Sequence, residues 1–252
     1  MTSMKLFCVV FLGLMSLLLC SCIEGEEEIF LNKDGSARVV ATYRVPSMLL
    51  SAEDAQDLRA SIEAEVGGVK NLKLLTNKVE KHNGDRVIML EIETDDVSTL
   101  EGSLSEHDPA VEMTKGDKIL HAIVGRILVN REGLKVHLNR EIHLSSLLDE
   151  YLGSSGASML GDSAFRYTMY LPHAAESSNA HEVSNDGRTL TWSHQLADCR
   201  NTPINLSIVT HIPIPWWIYA LLGVVATGLL WALFVIVAKK RVAARDTLAQ
   251  EE

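Results

Sequence analysis

The chain has 252 residues, of which 47% are hydrophobic and 22% are charged, and this balance excludes a wholly disordered chain. Of the 33 acidic and 23 basic residues, 30 acidic and 18 basic ones lie between residue 22 and Pro215. This acidic central region excludes a nucleic-acid-binding module that gains affinity by neutralising phosphates, so we predict no nucleic-acid partner.

Residues 1–21 are typical of a secretory signal peptide. Lys5 precedes an apolar run that is too short to span a bilayer. The run ends in Leu19-Cys20-Ser21-Cys22, which resembles the bacterial lipoprotein signal, with Cys22 as the residue that receives acyl chains such as palmitate. Each buried CH₂ contributes about 0.8 kcal/mol, so several chains anchor firmly. Cleavage without lipidation and an uncleaved anchor are the alternatives.

A hairpin is predicted at the start of the central region. Asp34-Gly35 is a turn signal between apolar strands at residues 29–31 and 37–45. The acidic run just before the first strand, residues 26–28, is interpreted as a solvated spacer near the membrane.

A helix is predicted next. Ser51 is a typical helix N-cap, and Asp54 stands where its capping partner would reach back. Apolar residues at intervals of three and four predict a helix over residues 52–66, which Gly67-Gly68 would end.

Alternating apolar and polar residues between turn signals predict strands in the rest of the region. These strands are residues 72–80, 86–94, 119–129, 134–144, 165–171, 189–194 and 206–211. Residues 145–152 are predicted as a short helix, and residues 95–108 and 153–163 as loops. The pattern indicates one α+β domain over residues 22–212, with a curved, mostly antiparallel sheet and a helix packed on one face.

A transmembrane helix is predicted at residues 216–238, because this stretch carries no charge and is long enough to cross a bilayer. The residues predicted to mark the two membrane interfaces are Trp216, Trp217 and Tyr219 at one end and Lys239, Lys240 and Arg241 at the other. The basic end places the tail, residues 239–252, in the cytoplasm. The domain is then expected on the outer face, periplasmic or extracellular, of a bacterial plasma membrane.

The order of these features resembles the LppM-like domain family of bacterial lipoproteins. The resemblance rests on Cys22, Lys33-Asp34-Gly35-Ser36, Tyr43-Arg44-Val45-Pro46, Tyr170-Leu171-Pro172, Ser177-Ser178-Asn179-Ala180, the segment from Asp186 to Trp192, and the final apolar segment with its basic tail. It implies a role in lipid handling or in the envelope, with a cupped α+β sheet able to hold an amphiphile. No catalytic residues come with it.

The sequence contains no recognisable catalytic or metal-binding motif, since HExxH, CxxC and GxSxG patterns are missing. His194 and Cys199 would form a nucleophile pair only if the strand bends between them, so a packed lone cysteine is favoured. Trp192 is interpreted as a core residue. We therefore predict no enzyme activity, no metal and no cofactor.

The predicted function is that of a membrane-tethered envelope lipoprotein, non-catalytic, that binds a lipid or another amphiphile. The alternative is an extracytoplasmic interaction module that holds an envelope protein of a wall or secretion assembly. An envelope hydrolase is a third hypothesis, and no motif favours it.

Overall fold

The computed structural model describes residues 23–97, 113–153, 160–161, 163–211, 223, 224 and 227. The chain divides into two compact units, Met1–Ile212 and Pro213–Glu252. The predicted signal peptide, Cys22, the six membrane-interface residues, the tail and most of the predicted membrane helix lie outside the described residues. Among those described, no helix is long and apolar enough to cross a membrane.

Eleven strands and three α-helices form in the described part of the first unit. In chain order they are β1 (Glu24–Leu31), β2 (Ala37–Pro46), α1 (Ala52–Gly68), β3 (Leu72–His82), β4 (Asp85–Thr94), α2 (Lys115–Val124), β5 (Arg126–Glu132), β6 (Lys135–Ile142), α3 (Ser145–Leu152), β7 (Ala164–Tyr170), β8 (Ser177–Ser178), β9 (Glu182–Ser184), β10 (Thr189–Gln195) and β11 (Ile204–His211).

The strands form two sheets rather than the predicted single one. The larger has seven strands in the order β3-β4-β2-β1-β7-β10-β9, and the smaller has four in the order β5-β6-β11-β8. All neighbours are antiparallel except β1 and β7, which run parallel. The α+β class and the mostly antiparallel pairing are thus confirmed. The prediction of one sheet with one packed helix is wrong, because the strands form two sheets and there are three α-helices in the described residues.

The two predicted hairpin turns and the first helix lie close to the positions predicted from their local sequence. Gly35 and Gly84 both adopt positive φ, which lets the chain reverse in the two hairpins. At the start of α1, the Ser51 hydroxyl accepts from the Asp54 N–H, and the Asp54 carboxylate accepts from the Ser51 N–H. This reciprocal capping satisfies two backbone donors that the helix itself leaves unpaired.

The prediction of a strand over residues 119–129 is wrong, because its first half is helical. In α2 the Thr114 hydroxyl accepts from the Asp117 N–H, and the Asp117 carboxylate accepts from the Thr114 N–H. The buried residues Ile119 and Leu120 lie on one side of this helix. Gly125, with a φ of 66°, ends the helix, and β5 starts directly after it.

One hydrophobic cluster joins buried side chains from both sheets and from all three helices. Trp192 on β10 is among its most buried members, as predicted, and its indole N–H donates to Asn179 Oδ1 at 2.8 Å. Because of this bond, the one polar atom of the Trp192 side chain has a hydrogen-bond partner although the ring is buried.

Candidate functional site

An apolar cavity of about 80 Å³ lies where the helices α2 and α3 cover one end of the seven-stranded sheet. Every lining residue is aliphatic or aromatic: Ile23, Tyr43, Val45, Leu49, Leu50, Ile88, Ile119, Ile123, Leu144, Leu147, Leu148, Tyr151, Leu152, Phe165 and Leu196. A pocket of this composition suits hydrocarbon rather than a polar substrate.

The cavity opens at the edge formed by Ile23, Leu49 and α3. Eight lining residues, Leu144 and Leu148 among them, are buried, whereas seven are only half-buried: Ile23, Val45, Leu49, Ile123, Leu147, Tyr151 and Leu152. The half-buried side chains therefore form the mouth, and the buried ones form the deeper wall.

The helix α3 is the least firmly held wall of the cavity. It has only eight residues, and among the described residues no side chain caps its N-terminus. Arg200 holds its other end by donating to Asp149 Oδ1 and to the Gly153 carbonyl oxygen at 2.8 Å each. A helix this short depends on such tertiary contacts for its stability.

A second cavity of about 100 Å³ adjoins the first one and shares Tyr43, Ile88 and Ile123 with it. It is lined mainly by apolar side chains of β2, β4, α1 and α2, and the smaller sheet contributes Ile127 and Arg140. Its polar border consists mainly of Glu27 and Arg140.

Glu27 and Arg140 form a buried ion pair that links the two sheets. Glu27 on β1 is 3% exposed and Arg140 on β6 is 8% exposed. Arg140 Nη1 donates to Glu27 Oε1, and Nη2 donates to Oε2 at 3.2 Å. The Tyr43 hydroxyl donates to the same Oε2 at 3.0 Å. The interpretation of residues 26–28 as a solvated spacer is therefore wrong, since all three lie in the central strand β1.

Arg140 also closes the C-terminal end of α2. Its Nε donates to the Val124 carbonyl oxygen at 2.8 Å, and Nη2 donates to that of Ile123 at 3.1 Å. Its guanidinium lies over the ring of Tyr167, 5.6 Å from the centroid. Since each of these donors already has an acceptor, the pair is suited to holding the sheets and α2 in register rather than to binding a ligand.

Burial fixes the charge states around this pair. Burial raises the pKa of Tyr43 well above its ordinary value, and the negative charge of Glu27 adds to the shift. Burial alone would lower the pKa of Arg140, but the adjacent Glu27 carboxylate outweighs that effect and raises it. Tyr43 is therefore a neutral donor and Arg140 a permanent cation, and neither is suited to exchange protons near neutral pH.

The sequence patterns described above do not predict this pair, although β1 carries a signal for one half of it. Glu27 lies in the two-residue period of Ile29 and Leu31, both of which pack against the core. Successive side chains of a strand point to opposite faces, so this period predicts that Glu27 points inward. No local pattern identifies Arg140, which lies 113 residues away.

Cys199 is a packed thiol, as predicted from the sequence. It is buried in a short 3₁₀ turn, Asp198–Arg200, and its thiol donates to the Gln195 carbonyl oxygen at 3.2 Å. Burial, together with the charge of Asp198, raises the pKa of this thiol to about 11. Nucleophilic chemistry requires the thiolate, so this environment disfavours it.

We expect Cys199 to resist alkylation in a fragment of residues 23–212, where it is the one cysteine. At pH 8 a pKa of about 11 leaves about one thiol in a thousand ionised, so iodoacetamide should react at least about a hundredfold more slowly than with the urea-unfolded fragment. The rate should be followed by mass spectrometry from pH 7 to 10. Equal rates in the native and unfolded fragments would contradict the buried, protonated thiol.

The histidines form no metal centre in the part of the chain that the structure describes, where no three His, Cys, Asp or Glu side chains are grouped to hold an ion. His181 and His194 do come together, with ring centroids 4.9 Å apart. The Ser193 N–H donates to His181 Nδ1 at 3.0 Å. Burial lowers the pKa of His194, and the neighbouring His181 lowers it further.

No family model matches the sequence, and no curated protein matches it. Among solved structures, the chain is similar to the NMR structure of the LppM folded domain of Mycobacterium tuberculosis, with 14% sequence identity and a TM-score of 0.44. The similarity covers 77% of this chain and 91% of that chain. It is a distant likeness to an LppM-like fold, and it assigns no ligand, activity or site residue to this protein.

Proposed function

We propose that this protein is a non-catalytic lipoprotein of a bacterial envelope whose α+β domain holds the apolar part of a lipid or another amphiphile. Acylated Cys22 and the helix at residues 216–238 would anchor it in the plasma membrane, with the domain on the outer face. The observation that carries the proposal is the cavity at the end of the sheet, because all of its lining side chains are aliphatic or aromatic.

The size of the cavity limits how a ligand would enter. An engineered apolar cavity of about 150 Å³ binds benzene, so the space of about 80 Å³ inside the mouth accommodates only a few carbon atoms. A longer chain would have to extend into the adjoining cavity of about 100 Å³ or displace a wall. The short helix α3 is the wall with the fewest ties, so we expect it to move outward when a chain is bound.

Binding of the fluorescent fatty acid cis-parinaric acid to the fragment of residues 23–212 would test the proposal. Leu147 lines the mouth on α3, and Leu147→Trp should fill it. We expect this variant to bind the probe about tenfold more weakly, which corresponds to about 1.4 kcal/mol.

Leu128→Trp is the matched control. Leu128 is a partly exposed leucine on the edge strand β5, and it is not among the lining residues of either cavity. This variant should bind the probe as the parent does. If Leu147→Trp impairs folding in a thermal melt, Leu152→Phe at the same mouth replaces it. An unchanged affinity in a folded mouth variant, or no binding by the parent, would overturn the proposed function.

A further inference from the structure

The loop Ser47–Leu50 presents a large apolar side chain to solvent from a fixed backbone. Met48 is 82% exposed. The Ser47 N–H donates to the Gly84 carbonyl oxygen at 3.0 Å, the Leu49 N–H donates to that of Pro46 at 2.9 Å, and Arg86 Nε donates to that of Leu50 at 2.6 Å. The loop is therefore held on both sides of Met48, and the methionine remains outside while Leu49 and Leu50 point into the cavity.

Single exposed apolar residues are common on protein surfaces, so Met48 indicates a binding surface only through its position. Glu24 pairs with Arg44 in the sheet, which places Ile23 beside Val45 at the end of β2. Ile23, Val45 and Leu49 line the same cavity, so Met48, which directly precedes Leu49 without lining the cavity itself, lies beside its mouth.

The start of the domain is fixed at this mouth. The Ile23 N–H donates to Ser163 Oγ at 2.9 Å, and Ser163 is buried. Consecutive Cα atoms are about 3.8 Å apart, so whatever holds residue 22 also holds Ile23. If acyl chains on Cys22 lie in a membrane, the mouth of the cavity lies at that membrane's surface.

We propose that the mouth formed by Ile23, the loop Ser47–Leu50 and α3 rests on the outer leaflet, with Met48 inserted among the lipids. The cavity then takes its occupant directly from the bilayer rather than from water. This inference rests on the proposed function for what occupies the cavity and on acylation of Cys22 for where the mouth lies. The partner surface is the phospholipid bilayer itself.

The test uses the full chain in nanodiscs of phosphatidylethanolamine and phosphatidylglycerol. A Cys199→Ala parent carries Met48→Cys, labelled with the fluorophore NBD, and the parent without Met48→Cys reports any labelling at the remaining native cysteines. We expect the fluorophore to be quenched by lipids that are spin-labelled near the top of the acyl chain. Its reaction with aqueous dithionite should be about tenfold slower than at a water-exposed site, since the dianion is excluded from hydrocarbon.

Val183→Cys supplies the water-exposed site. Val183 is 55% exposed on the edge strand β9 and pairs with Leu190, toward the end of the sheet opposite Ile23. Equal quenching and equal dithionite rates at positions 48 and 183 would overturn the membrane contact. A soluble fragment that still binds cis-parinaric acid would then leave the proposed function standing. A lipid-buried label at position 48 with no probe binding would instead retain the membrane contact and remove the proposed function.

Discussion

Replacing Glu27 by alanine is expected to lower the free energy of unfolding of the 23–212 fragment by about 3–5 kcal/mol, because the change leaves Arg140 buried without its counter-ion. Arg140 Nη1 and the Tyr43 hydroxyl would lose their acceptor at once, and Arg140 Nη2 would keep only the Ile123 carbonyl oxygen. Urea unfolding followed by circular dichroism measures this change from the shift in the midpoint concentration, provided that the dependence of the unfolding free energy on urea concentration is the same in both proteins.

Glu26→Ala is the matched control. Glu26 is the preceding residue of β1, and its side chain is exposed on the other face of the strand. A surface change of this kind usually stays within about 0.5 kcal/mol. Equal losses for Glu26→Ala and Glu27→Ala would contradict the buried pair.

The double variant Glu27→Leu, Arg140→Met tests whether Glu27→Ala loses stability because Arg140 is left as an unpaired buried charge or because the contact between the two side chains is lost. Replacing a buried ion pair by apolar groups of similar volume is often neutral or stabilising, so the double variant should be far more stable than Glu27→Ala. Loss of the two α2 carbonyl contacts from Arg140 should still destabilise the end of that helix. A double variant as unstable as Glu27→Ala would show that burial of an unpaired charge is not the cause.

The parts of the fold that were predictable depend on neighbours in the sequence. Asp34-Gly35 and Asn83-Gly84 define their hairpins through positive φ angles within the turn, and Ser51 caps α1 through a residue three positions away. The wrong prediction of a strand at residues 119–129 could also have been avoided from the local sequence. Thr114 and Asp117 form the same capping pattern as Ser51 and Asp54, and it indicates a helix start where we predicted none.

The second sheet and the parallel pair were not predictable in this way. The N–H of Ile23 reaches Ser163, 140 residues away, and β7 then runs parallel to β1 rather than forming a hairpin with it. The cavity has the same origin, because Ile23, Leu49, Ile119, Leu147 and Phe165 come from five separate segments. Each of these segments has an ordinary apolar pattern, and only the topology makes them the walls of one space. Composition alone predicts a membrane span at residues 216–238, and this stays a prediction because nearly all of these residues lie outside the described part of the chain.

Gly116→Ala is expected to destabilise the domain and to disturb the cavity. A Cβ at this position would lie 2.5 Å from the carbonyl carbon of Asp57 and 2.6 Å from the Leu58 nitrogen. These are backbone atoms of α1, so α2 would have to move away as a whole. Overpacking of this kind costs about 1–3 kcal/mol. Because α2 carries Ile119 and Ile123 into the cavity, we also expect a changed affinity for cis-parinaric acid.

Gly67→Ala is the matched control on the partner helix. Gly67 also lies in an α-helix, α1, but a Cβ there would meet no atom within 4 Å. Alanine is favoured over glycine in a helix by about 0.5–1 kcal/mol, so this variant should be slightly stabilised and should bind the probe as the parent does. Urea unfolding and the probe titration measure both effects on the same samples. If Gly116→Ala were as stable as Gly67→Ala, the close approach of α2 to α1 would be wrong, and with it the helical wall of the cavity.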